Sequence, residues 1–401
     1  MTEQHTKYDI NLKSYIFMAV TILISLPGAW FGLYNFHISP QWGILVFGFA
    51  IFCAAFILAW AAEAAQVDIS ESLAVAILAV LAVLPEYAVD FVFTWKSAHD
   101  PSQAHYAIAN MTGANRLLLG LGWPLVLMLF IFAKHKKKII LDKTQRVEIF
   151  YLTMATLYSF TIPLKGSLNL IDTVILVALF ALYTRRVAQM ETIEPELVGP
   201  SRIVANMAKI PRRLSTIFLF LLAGAIIFFV AEPFAESLVG AGKVWGINEF
   251  FLVQWLAPIA SESPEFIVAA TWAMRGNAGS ALKALVSSKV NQWTLLIGTI
   301  PLVFAISGQA IRPFVLDTTQ THELLLTAAQ SLFGVAVLIN LKFDKANGML
   351  LAVLFLAQLI VSEIRMEIAA IYLLLAVVYF VLHRRDLMPA LHMGLGLKNQ
   401  R

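Results

Sequence analysis

The chain is built from apolar runs long enough to cross a bilayer, and little besides a bundle of membrane helices can accommodate them. A hydrocarbon core about 30 Å thick takes about 20 residues of helix, which satisfies its own backbone where no water can. On that measure helices are expected near 14–34, 42–66, 70–97, 104–133, 147–163 and 168–184. A second set follows near 214–240, 247–275, 280–308, 322–341, 347–362 and 366–383. The expected fold is all-α and polytopic, with about twelve transmembrane helices. Composition agrees, since 59% of the 401 residues are hydrophobic and 13% charged, beyond what a soluble core uses. The first run lacks a small-residue cleavage site after it, so it is expected to remain as a helix rather than to serve as a cleaved leader.

Charge orients the bundle. Twelve crossings put both termini on one side, and of the 29 Lys and Arg residues 21 fall in segments on that side, against five on the other. The positive-inside rule makes the richer side cytoplasmic, and the expected location is the plasma (inner) membrane. These basic residues sit in short loops rather than along a helical face, which is not the pattern of a nucleic-acid binder. The single cysteine, Cys53, excludes an internal disulfide, and no Cys or His cluster has the spacing of a zinc or iron site.

Two segments of the chain say nearly the same thing. Leu84-Pro85-Glu86-Tyr87-Ala88-Val89 and Ser263-Pro264-Glu265-Phe266-Ile267-Val268 each place a carboxylate directly after a proline inside an apolar stretch. A polar knot follows each within about 30 residues, Asn110-Met111-Thr112-Gly113-Ala114-Asn115 in one case and Ser287-Ser288-Lys289-Val290-Asn291-Gln292 in the other. Glu86 lies in the third span and Glu265 in the eighth, so the two run in opposite directions, as inverted repeats do. The repeats are expected over 42–184 and 214–362, joined by a polar cytoplasmic linker at 185–213. A tail and extra helix (1–41) precede them, and an extra helix and tail (363–401) follow.

A proline in a membrane helix frees carbonyl oxygens that need another partner. A carboxylate beside such oxygens makes an all-oxygen, net-negative cage suited to hard cations such as Ca2+ or Na+. Charged groups in hydrocarbon mark functional sites by default. Asp90 lies one helical turn beyond Glu86 and Glu262 nearly one turn before Glu265, so four acids are expected to converge, any of them able to hold a proton for part of a cycle. Asn115, Ser261, Ser288 and Gln292 add neutral oxygens. The plainer readings are a simple kink at each proline, acids facing a water-filled vestibule, and Asn, Ser and Gln pinning helices together. Glu63, Glu71, Glu232, Glu236 and Glu249 lie near span ends, where a solvated role suffices.

These paired stretches resemble those of the Ca2+:cation antiporter superfamily, in the sodium/calcium exchanger fold, over residues 42–362. That family carries a Thr-Ser-x-Pro-Glu stretch and a Gly-Ser-Asn-x-x-Asn/Asp stretch in each repeat. The resemblance implies that Glu86 and Glu265 are the metal-binding glutamates. The hydroxyl positions before them fall on Ala82 and Val83 in one repeat and on Ser261 and Glu262 in the other. The downstream stretch falls on Gly113-Ala114-Asn115 and Ser287-Ser288-Lys289, with Leu118 and Gln292 at its final position. Leu118 cannot bind an ion, and Arg116 and Lys289 are cations where the family pattern has none. Either could neutralise a carboxylate or take the place of a bound ion.

The resemblance therefore implies a secondary antiporter exchanging Ca2+ for Na+ or H+ by alternating access. Na+/H+ exchange is the alternative, favoured by the two added cations; a non-transporting relative is a third reading. Cofactors are not expected beyond the transported ions, and the partners are inorganic cations and the lipid bilayer. No nucleotide-binding Gly-x-x-x-x-Gly-Lys-Ser/Thr run occurs. An intramembrane enzyme would need a nucleophile with a base or paired aspartates, whereas Asp90, Asp172 and Asp344 sit in unrelated contexts.

Overall fold

The computed structural model describes residues 11–68, 84–190, 197 and 199–396. The start of the third expected span, with Glu71, Ala82 and Val83, and the acidic part of the linker at 191–196 lie outside the described residues, as do both chain ends.

In chain order the helices are α1 Leu12–Leu33, α2 Pro40–Ala65, α3 Leu84–Ser97, α4 Ala104–Leu117, α5 Trp123–Lys134, α6 Arg146–Ser159, α7 Thr161–Lys165 and α8 Leu170–Val187. They continue as α9 Ser201–Ala205, α10 Lys209–Trp245, α11 Glu249–Arg275, α12 Ala278–Asn291, α13 Ile297–Ser307, α14 Thr318–Leu338, α15 Lys345–Ile360, α16 Arg365–Leu382 and α17 Arg384–Leu395. The protein is a multi-pass helical membrane protein: among the described residues, eight helical stretches are long and apolar enough to cross a bilayer. The other expected spans carry helices that miss that measure for visible reasons. α3 is described only from Leu84, α8 holds Asp172 and paired arginines at its ends, α11 carries Glu262 and Glu265 mid-length, and α15 is 16 residues long.

Two windows expected as plain helices contain a widened turn. Between α4 and α5 the chain adopts five residues of π-helix, Leu118–Gly122, and between α12 and α13 five more, Gln292–Leu296. Each follows a 14-residue α-helix, so the same α–π–α sequence occurs twice. Such turns leave no hydropathy trace and are frequent at functional sites.

The chain divides into two compact units. Residues 1–92 and 188–264 form the first, holding α1, α2, α9, α10, the opening of α3 and α11 up to Pro264. Here the backbones approach closely at small residues: a Cβ on Gly43 would overlap the Ser237 hydroxyl, and one on Gly32 would overlap the Phe229 carbonyl. This is the close packing that joins helices where lipid removes a hydrophobic drive. A polar clasp closes one end. Asp68 takes Arg212 Nε at 2.6 Å and Nη2 at 2.9 Å, and Arg213 Nε at 3.2 Å, while Ser201 Oγ donates to Glu63 Oε2 at 2.6 Å.

Residues 93–187 and 265–401 form the second unit. Trp123 and Trp293, each next to or inside a π turn, are wholly buried in it. Two short antiparallel ladders lace its connections. β1 (Lys138–Ile140) pairs with β4 (Lys342–Asp344), setting Ile139 opposite Phe343; β2 (Ser167–Leu168) pairs with β3 (Phe314–Val315), setting Ser167 opposite Val315. β1 follows α5 as β3 follows α13, and β2 precedes α8 as β4 precedes α15. Exchanging the two halves of the chain therefore turns one ladder into the other.

Candidate cation site

In the first unit, Glu86 and Asp90 lie one turn apart on α3 and are 1% and 3% exposed. On α11, Ser261 and Glu262 are buried, and the Ser261 hydroxyl donates to the Ala257 carbonyl at 3.2 Å. Pro258 and Pro264 remove two backbone donors from this helix, so the carbonyls one turn before them, at Gln254 and Ala260, lose their usual partners. Ser261 thus offers lone pairs rather than its proton to anything bound nearby.

In the second unit, Glu265 begins the continuation of α11, and the Ser288 hydroxyl of α12 approaches its carboxyl. The contact stops short of hydrogen-bond geometry. One residue along, the Lys289 ammonium reaches across to α4 and donates to Asn115 Oδ1 at 2.7 Å and to the Asn115 carbonyl at 3.1 Å, lying 4.6 Å above the Trp293 ring. Asn115 gives its own amide hydrogen to the Met111 carbonyl at 2.8 Å. Gln292 is buried where the second π turn opens.

Arg116 points elsewhere. Its guanidinium pairs with Glu323 of α14 and donates to Gln358 Oε1 of α15 at 2.7 Å, while Arg365 Nε reaches the other Glu323 oxygen at 2.9 Å. This buried network draws α4, α14, α15 and the start of α16 together. Among the described residues, no three His, Cys, Asp or Glu side chains group as metal ligands; Glu86, Asp90 and Glu262 belong to the first unit and Glu265 to the second.

Two buried acids escaped the sequence reading. Glu323 and Glu148 are each 0% exposed, yet each falls at the edge of an apolar window, where a charge reads as solvated. Glu148, on α6, lies 3.8 Å from Lys283 Nζ of α12.

The family model described as "Sodium/calcium exchanger protein" matches residues 39–188 and 215–363. The chain belongs to the sodium/calcium exchanger family. Among solved structures, one described as the crystal structure of the H+/Ca2+ exchanger CAX is 41% identical, superposes with a TM-score of 0.93, and matches over 96% of this chain and 98% of its own. The Ca2+/H+ antiporter protein YfkE shares the exchanger-family fold at 16% identity and a TM-score of 0.59, over 86% of this chain and 99% of its own. The sodium-calcium exchanger NCX_Mj does so at 16% identity and a TM-score of 0.52, with the same coverage. No curated protein matches this chain.

Proposed function

We propose that this chain is a secondary antiporter that exchanges Ca2+ for H+ across the membrane by alternating access. The observation that carries the reading is the repeated Pro-Glu element. It puts Glu86 and Glu265 inside apolar runs expected to span the membrane, in a chain 41% identical to a protein described as an H+/Ca2+ exchanger. Glu86 and Glu265 act as the central Ca2+ ligands, with Asp90 and Glu262 as auxiliary acids. Ser261, Ser288 and Gln292 supply neutral oxygens. A carboxylate that binds Ca2+ in one state and a proton in the other couples the two fluxes with no further cofactor.

Two departures from the family pattern favour H+ over Na+ as the counter-ion. Leu118 stands where the pattern has an oxygen ligand, and the Asn115 amide oxygen is taken by Lys289. Both leave fewer neutral oxygens for a second bound metal ion, whereas a proton needs only a carboxylate. The repeats at 42–184 and 214–362 form the transport core, flanked by 1–41 and 363–401 and joined by a cytoplasmic linker at 185–213. The two matched family segments support this division. Both termini face the cytoplasm across the plasma (inner) membrane, as the basic loops direct.

The test is uptake of labelled Ca2+ into proteoliposomes under an imposed pH gradient, an imposed Na+ gradient, or neither. Uptake is expected with the pH gradient, unaffected by Na+, and lost in Glu86→Gln and Glu265→Gln. Uptake unchanged in both variants would refute the site, and uptake driven by Na+ alone would refute the counter-ion.

A further inference from the structure

We infer that Glu148, Tyr183 and Ser287 form a proton path joining the cation site to the membrane face that carries the β1–α6 connection. The inference rests on the H+/Ca2+ reading above and concerns a residue, Glu148, to which that reading gives no role.

Glu148 is an unusual acid for a membrane helix. It is wholly buried on α6, and neither carboxyl oxygen receives a hydrogen bond among the described residues. A carboxylate kept in a low-dielectric interior with no donor and a single counter-charge 3.8 Å away costs several kcal/mol, which is the usual mark of a functional group. The groups that face it come from three elements. Lys283 of α12 places Nζ 3.8 Å from Oε1 with its side chain 32% exposed, Asp142 lies in the connection before α6, and Tyr183 of α8 is within electrostatic range. Lys283 and Asp142 open toward water; Tyr183 opens inward.

Tyr183 continues the path. It is buried, and its hydroxyl donates to Ser287 Oγ at 2.9 Å. Ser287 precedes Ser288, whose hydroxyl approaches Glu265. Acid, phenol and the Ser287 hydroxyl therefore run in order from the Lys283 mouth to the residue next to Ser288. The path requires a water between Glu148 and Tyr183 wherever they stand more than about 3.5 Å apart, and one between Ser287 and the Glu265 carboxyl that Ser288 approaches.

Each transfer balances. When protonated Glu148 gives its hydrogen to the Tyr183 oxygen, Tyr183 releases its own to Ser287, and Ser287 passes its own, through that water, to the Glu265 carboxylate. Both hydroxyls end as they began, and one proton has moved from Glu148 to the site. Glu148 then regains a proton from water at the Lys283 mouth. The reverse sequence empties the site.

The reconstituted full-length protein tests this with two readouts. One is Ca2+ uptake driven by a pH gradient; the other is exchange of labelled for unlabelled Ca2+ at equal pH, which needs no net proton movement. Glu148→Gln is expected to slow the first at least about tenfold, as loss of a positioned proton donor does, and to flatten its pH dependence while leaving the second unchanged. Tyr183→Phe, which removes a single oxygen, is expected to slow the first alone and serves if Glu148→Gln does not fold. Equal loss of both activities, or pH-driven uptake in either variant equal to that of the unaltered protein, overturns the path. Unaltered protein that ignores the pH gradient overturns the H+/Ca2+ reading and the path with it. A normal response there combined with a normal response in Glu148→Gln overturns only the path.

Discussion

Replacing Glu323 with leucine is expected to damage the second unit far more than replacing Arg116 with methionine, although the two share one ion pair. Glu323 is wholly buried and uses both oxygens, one toward Arg116 and one toward Arg365 Nε at 2.9 Å. Removing it strips two guanidiniums of their counter-charge. Breaking a buried pair from one side costs about 3–5 kcal/mol. Arg365, with 24% of its side chain exposed, recovers part of its share by turning to water, whereas buried Arg116 recovers nothing. Removing Arg116 instead leaves Glu323 still paired with Arg365. The loss then falls to about 1–3 kcal/mol, that of one charged hydrogen bond and an orphaned Gln358 oxygen. The double variant Arg116→Met/Glu323→Leu is expected to be more stable than Glu323→Leu alone, because apolar groups replace a buried pair at little cost. Thermal denaturation of the purified protein, followed by loss of monodispersity, gives the ranking, and Ca2+ uptake per folded molecule gives the function. Arg116→Met is expected to melt earlier yet transport normally. Should it melt normally and instead shift Ca2+ affinity or the charge moved per ion, Arg116 belongs to the cation path and this account of the network is wrong.

The remaining predictions concern one cation and one clasp. Lys289→Gln is expected to open the Asn115 oxygens to a free monovalent ion, making Ca2+ uptake sensitive to Na+ where the unaltered protein is not, while Lys289→Arg keeps the original behaviour; uptake across a Na+ series reads both. At Asp68, hydrogen bonds from Arg212 and then Arg213 hold the carboxyl below its ordinary range. Its contribution to stability is therefore present above the ordinary carboxylate value of about 4 and lost as pH falls through the lowered folded value. The difference in melting temperature between the unaltered protein and Asp68→Asn is expected to shrink over that acid interval and to stay constant above it; a difference unchanged by acid would contradict the clasp.

Much of the architecture was legible because hydrocarbon is an exacting solvent. Runs of about 20 apolar residues have one economical conformation there, and a proline–glutamate pair inside such a run stands out against it. What stayed hidden depends on three-dimensional proximity. Glu148 and Glu323 sit at window edges, where sequence alone reads a charge as solvated, and Glu323 lies 207 residues from the arginine it pairs with. The π turns at 118–122 and 292–296 keep the same side chains and change only the hydrogen-bond register, so no hydropathy pattern marks them. The two added cations were visible, but nothing in their spacing showed that they would do different things.

That difference follows from the helical step. Asn115 and Lys289 are equivalent positions, each the third residue before its five-residue π turn, and they meet each other. Two repeat-related positions can touch only where the halves of the repeat cross, so position 115 faces α12 and position 289 faces α4. A residue one place further along is rotated by about 100°, which carries Arg116 off that seam and onto α14, where Glu323 receives it. Its counterpart, Val290, is buried without a charge. A cation at 289 therefore sits on the seam itself, bonded to its counterpart in the other repeat, while the cation at 116 is turned away to the carboxylate it shares with Arg365.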